Sequence, residues 1–186
     1  MTYNHIYMTS TPPHPEGPDM SSTSSRWWLR TAGEELVVDA GTECVYDLVA
    51  DLPRMGEWSP ECQRVEWTGT ATGAVAGATF LGHNKGGPAG LMNWSRAGRV
   101  LVADRGKQFS FVTEEGGRES TLWRFDLEPA GDGATRIRES YEVRWIPTWA
   151  RIVDVPTNRA KELREGMRHT LGQLKAAAEA ATCSET

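Results

Sequence analysis

Thr135-Arg-Ile-Arg-Glu-Ser-Tyr-Glu-Val-Arg-Trp145, followed past two prolines by TNRAKELREGMRHTLGQLKAAAEAA at 157–181, is the stretch on which the fold turns. Its first part alternates strictly. Thr135, Ile137, Glu139, Tyr141, Val143 and Trp145 fall on one side; Arg136, Arg138, Ser140, Glu142 and Arg144 fall on the other. A period of two predicts a β-strand with a wet outer face and a mostly apolar inner face. The second part instead carries Ala160, Leu163, Met167, Leu171, Leu174 and Ala178 at helical spacing, with Lys161, Glu162, Glu165 and Arg168 around the rest. That stripe predicts one long amphipathic helix. A strand over 135–145 spans about 36 Å, and a helix over 157–181 spans about 37 Å. The matched lengths let the helix lie along the concave face of a bent sheet.

Working back toward the N-terminus, further β runs are predicted over 35–39, 63–69, 78–84, 92–104, 108–114 and 120–127. Short Gly, Asp and Pro links separate most of them, among them Arg105-Gly106, Gly116-Gly117 and Gly131-Asp-Gly133. Such links favour antiparallel neighbours, because a parallel pair needs a longer crossover. After the first run, 42–51 puts Val45, Leu48 and Val49 on one helical face, Pro53 ends that helix, and a second helical turn follows over 53–58. The predicted class is α+β: a curved antiparallel sheet of about seven strands wrapped around a long C-terminal helix. Two short helices after the first strand plug one end.

The 186 residues allow one domain, placed at 26–182 behind a tail at 1–25 dominated by Pro, Ser and Thr, which is expected to be disordered. Arg26-Trp27-Trp28-Leu29-Arg30 is expected to fold back on the domain edge or to meet a partner. A net charge of −5 leaves no basic surplus for a phosphate backbone, so nucleic acid binding is not expected. Cys44, Cys62 and Cys183 are odd in number and scattered, which argues against a disulfide framework or a zinc site and fits a reducing cytoplasm. The four histidines form no metal motif, and no metal or cofactor is required. No apolar run is long enough to span a membrane, and no signal peptide pattern opens the chain. Oligomeric state is not legible.

Several strings together resemble a known family. They are Val45-Tyr-Asp-Leu-Val-Ala-Asp-Leu-Pro-Arg-Met-Gly-Glu-Trp-Ser-Pro-Glu61, Phe80-Leu-Gly-His-Asn84, Trp94 with Val100, Trp123-Arg-Phe-Asp-Leu-Glu-Pro129 and Gly133-Ala-Thr-Arg-Ile-Arg-Glu-Ser-Tyr-Glu142. Over about 34–181 they look like the polyketide cyclase/dehydrase and lipid-transport group of the START-like (SRPBCC) superfamily, chiefly its actinobacterial branch. The resemblance implies a helix-grip fold around a hydrophobic cavity. Activity is left open, because one such cavity serves carriers and cyclases alike.

Alternation along the other strands turns Phe80, Gly82 and Asn84 inward, then Trp94, Arg96, Gly98 and Val100, then Phe109 and Phe111, then Thr121, Trp123, Phe125 and Leu127. Wide apolar walls with a few polar anchors suit a small-molecule pocket. The expected ligand-binding residues are Phe80, Asn84, Trp94, Phe109, Phe111, Thr121, Trp123 and Met167. Core packing is the plainer account of each tryptophan. Glu139, Arg96 and Tyr141 are the candidate catalytic groups if the chain is an enzyme. A lone buried Glu139 would have a raised pKa suited to general acid–base work, whereas a nearby Arg96 would favour its charged form. The alternatives for Glu139 are a satisfied pair with Arg96 or a place at the wet rim. The leading expected function is binding of a small hydrophobic or aromatic ligand, lipid or polyketide-like. The alternatives are a polyketide aromatase/cyclase or dehydratase, and a regulatory interaction protein using the N-terminal segment.

Overall fold

The computed structural model describes residues 31–86, 90–147 and 159–181; the N-terminal tail and 26–30 lie outside them. Strand β1 (Thr31–Val38) leads into helix α1 (Thr42–Ala50), a 3-10 turn (Leu52–Arg54) and the single-turn helix α2 (Met55–Trp58). Six strands follow: β2 (Cys62–Thr68), β3 (Thr79–Gly86), β4 (Met92–Asp104), β5 (Gln108–Glu115), β6 (Arg118–Gly131) and β7 (Ala134–Val143). Helix α3 (Arg159–Ala180) completes the described chain.

The strands form one antiparallel sheet in the order β1-β7-β6-β5-β4-β3-β2. Neighbours in sequence are neighbours in the sheet from β2 to β7, as short links require. The exception is β1, which pairs with β7 at the far edge. The short helices carry the chain across from β1 at one edge to β2 at the other. The β5–β6 link shows why its residues are what they are: Gly116 and Gly117 have φ of 58° and 73°. Two consecutive left-handed residues make the two-residue hairpin turn whose twist matches its strands, and glycine adopts it without steric cost.

The expected helix-grip architecture of seven strands, two short helices and a long terminal helix is the one observed. Two boundaries differ most. Strand β1 begins at Thr31 because Thr31, Ala32 and Gly33 pair with Glu142, Tyr141 and Ser140; ladder pairing holds residues whose own strand propensity is weak. Strand β6 continues past Leu127 through Pro129, which sits where the β6–β7 register breaks, a position that tolerates a missing N–H. One further expectation is corrected. Cys44 is disulfide-bonded, so its thiol is not free as the cysteine pattern suggested, while Cys62 is free. The cysteines therefore no longer argue for a reducing compartment.

Helix α3 buries Met167, Thr170, Leu171, Leu174 and Ala178, the i, i+3, i+4 pattern of its stripe. It is fastened to the edge strand β1 as well as packed on it. Arg168 makes a bidentate pair with Glu34 at 3.0 Å, Lys175 bonds the Val37 carbonyl at 2.7 Å, and the Asp39 amide donates to Glu179 at 2.9 Å. Beneath its C-terminal half lies the continuous core: Val38, Val45, Val49, Phe125, Leu127 and Ile137 with Leu171, Leu174 and Ala178. Helix α2 approaches β2 so closely that a Cβ on Gly56 would overlap the Gln63 carbonyl, which fixes glycine there.

Candidate functional site

The concave face divides along its length. At one end the aromatic residues consume one another: Tyr46 meets Phe109 edge-on at 6.2 Å, Phe109 lies 6.0 Å from Phe111, and Phe111 meets Phe80 at 5.4 Å. Trp67 closes the row on Phe80 at 6.3 Å. Edge-to-face rings at these separations are packed core. Phe80, Phe109 and Phe111, expected to line a pocket, are therefore placed in the core, with Phe109 fully buried. Gly98, expected on the inward face, is covered by the Phe80 ring.

Toward the N-terminal half of α3 the same face loosens. Asn84, Trp94, Arg96, Thr121 and Trp123 point inward yet are only half-buried. Trp123 and Tyr141 lie side by side with ring centroids 5.5 Å apart, as their cross-strand pairing requires. Trp94 lies over the backbone of Gly86, where a Cβ would come within 3.1 Å of its ring. Met167 of α3 is buried above this region, and both it and Tyr141 stand outside the main core cluster. Gly166, one residue earlier, comes near the Pro60 ring.

Glu139 sits between the two regions. Its backbone pairs with Phe125 of β6 on one side and Glu34 of β1 on the other. It is buried, and among the described residues its Oε2 has no hydrogen-bond partner. The Tyr141 hydroxyl, two residues along the same face, is buried and unpartnered too. Burial pushes the Glu139 carboxyl up to about 8, with no cationic neighbour among the described residues pulling it back. An acid in that environment is neutral at pH 7 and holds a proton it can donate. Burial also raises the Tyr141 hydroxyl, against the opposing pull of Arg164 and Arg159.

Arg96 does not reach Glu139. It pairs instead with Glu115 at 3.0 Å, one residue beyond the Ala97–Glu114 cross-strand pair. This disposes of the Glu139–Arg96 pairing that the sequence left open, and it takes Arg96 from the side of the candidate acid. Glu115 went unnoticed because strand pairing shifts between Val100 and Val102 and again between Thr113 and Glu114, and alternation counted from sequence does not show where a bulge falls. A second missed pair closes the N-terminal end of α3. Arg159 Nη2 bonds both Glu61 oxygens, at 2.6 and 2.8 Å, and Glu61 lies beside Gly86 under Trp94. Trp123, Tyr141 and Glu139 thus share one stretch of the face, while Trp94 stands over Gly86 beside the Glu61–Arg159 pair.

The outer face offers a contrast. A polar hollow of about 660 Å³ there is lined by Arg124, Arg136 and Arg138, by Glu35, Asp126 and Glu128, and by Lys107 and Gln108. These are the outward-alternating side chains, and their charges do not suit an apolar ligand. Among the described residues no group of His, Cys, Asp and Glu side chains is placed to hold a metal ion, and no helix is long and apolar enough to cross a membrane. Burial raises the Cys62 thiol above its ordinary pKa, so it is not an activated thiolate.

Residues 31–179 match the family model described as polyketide cyclase / dehydrase and lipid transport. Among solved structures, a Polyketide_cyc-like protein of Corynebacterium glutamicum is 28% identical with a TM-score of 0.53, covering 80% of this chain and 91% of that one. The Zhui aromatase/cyclase of Streptomyces sp. R1128 superposes with a TM-score of 0.63 at 11% identity, covering 81% of this chain and 93% of its own. Protein CV1439 of Chromobacterium violaceum gives 0.61 at 18% identity, covering 82% and 100%. The last two likenesses speak to the fold. No curated protein sequence matches the chain.

Proposed function

We propose that this chain, which belongs to the polyketide cyclase/dehydrase and lipid transport family, binds a small, largely apolar molecule on the concave face of its sheet, beneath the N-terminal half of α3. One observation carries the reading. Among the described residues Glu139 Oε2 and the Tyr141 hydroxyl are buried without partners, and Trp123, which the fold leaves half-covered, lies against Tyr141. Buried polar atoms are nearly always bonded, and an orphan costs about 1–3 kcal/mol. Two orphans on one face, next to a half-covered tryptophan, support a place completed by something else. Native mass spectrometry of the protein purified from its own host tests this. A co-purifying mass of a few hundred daltons is expected, and its loss on Trp123→Ala places it at this wall. A bare chain mass from host cells, with a folded protein, counts against the reading.

A second reading is favoured by the state of Glu139. A carboxyl held neutral near pH 7 can protonate a carbonyl oxygen or, once ionised, remove an acidic proton beside it, as aromatase/cyclase or dehydratase chemistry on a poly-ketone requires. Under that reading Glu139→Gln abolishes turnover of such a substrate while its affinity stays within about threefold, whereas a pure carrier has no turnover to lose. Regulation through the N-terminal segment rests on residues outside those described and gains no support here.

A further inference from the structure

We infer that Glu139 and Tyr141 are a paired set of hydrogen-bond donors that selects an uncharged ligand bearing acceptor oxygens. The favoured ligand is a flat carbonyl compound laid against Trp123, held in preference to a plain hydrocarbon and to a carboxylate such as a fatty acid. This rests on the concave face being the binding site. Residues two apart on one strand project to the same side about 7 Å apart, so an ordinary bicyclic or tricyclic molecule reaches both. The two orphaned atoms belong to separate side chains and point to the same need. A ligand oxygen satisfies them, while a hydrocarbon of the same shape leaves them unpaired, and sites built around a bond reject the analogue that lacks it.

The charges around Glu139 argue against an anion. Glu34 lies directly opposite on β1 and is held by Arg168 of α3. Phe125, opposite on β6, brings no charge. Arg159 and Arg164 of α3 act on Tyr141, and Arg159 is already bound to Glu61. The Glu139 carboxyl is raised to about 8 by desolvation alone, and among the described residues no cation acts on it. A carboxylate lodged against Glu139 would bury a charge where, among the described residues, no cation acts, which costs several kcal/mol. When Glu139 ionises it ceases to be a donor, and its half of the recognition is lost.

The test uses the full chain and three probes of one shape: fluorenone, fluorene and fluorene carboxylate, titrated by tryptophan fluorescence at pH 6 and pH 9. At pH 6 fluorenone is expected to bind about 10-fold more tightly than fluorene and more tightly than the carboxylate. At pH 9 the wild-type preference for the ketone falls. In Glu139→Gln, whose amide donates at any pH, it persists at both values. Tyr141→Phe narrows the preference at pH 6 without altering affinity for fluorene. Equal affinities for ketone and hydrocarbon at pH 6, tighter binding of the carboxylate, or a wild-type preference unchanged at pH 9 each overturn the donor-pair inference alone. Failure of all three probes to bind removes the concave-face reading beneath it as well.

Discussion

Glu139 is a carboxylic acid on the apolar side of a strand, and that much could be read from alternation between Ile137 and Tyr141. Its burial couples folding to pH. The unfolded chain gives up this proton near the ordinary carboxylate pKa of 4.5, whereas the folded chain keeps it until about 8. Between those values the native state holds a proton that the unfolded state has lost, so stability falls as pH rises, by about 1 kcal/mol per pH unit. Below the window the penalty is absent, and above it the penalty is constant. The thermal midpoint of the wild type is therefore expected to drop several degrees between pH 5 and pH 8. Glu139→Gln should flatten that slope when both are scanned in matched buffers; parallel slopes would mean that the acid titrates normally. What alternation could not show was its partner. Arg96 and Glu139 both read as inward, but only the register of β4 against β5, bulges included, assigns Arg96 to Glu115.

At the scale of elements the sequence was most legible where a period ran long and uninterrupted. Strand β4 was expected over 92–104 and is observed as Met92–Asp104; α3 was expected over 157–181 and is described as Arg159–Ala180. Leu171 and Leu174 anchor that helix at 1% exposure each. Leu171→Ala should cost about 2–5 kcal/mol by chemical denaturation, while Gln173→Ala on the exposed side should cost less than about 0.5 kcal/mol. Inward glycines were less legible, since a missing side chain reads as space whether or not a neighbour takes it. Gly98 is occupied by the Phe80 ring, itself fixed between Trp67 and Phe111. Gly98→Ala is accordingly expected to lower stability by about 1–3 kcal/mol. A neutral effect would mean that the ring has room to turn.

Across the whole molecule, the sheet, its order and the helix that spans it follow from hydropathic period and short links, and the family followed from the strings those periods carry. The site was half-legible. Trp94, Trp123, Glu139 and Tyr141 were expected on the inner face and are there; how far the core would fill the same face was not, because ring packing depends on the three-dimensional separation of β3, β5 and α1. Filled aromatic core at one end and half-covered tryptophans with orphaned donors at the other are what make one end a candidate for ligand. The most direct test is to follow the indole N–H resonances of the tryptophans by NMR as an apolar ketone such as fluorenone is added. The signals of Trp94 and Trp123 should move while those of Trp58 and Trp67 stay in place. No movement at Trp94 and Trp123, with changes confined to the arginine-lined outer face around Arg124 and Arg136, would contradict a ligand site on the concave side.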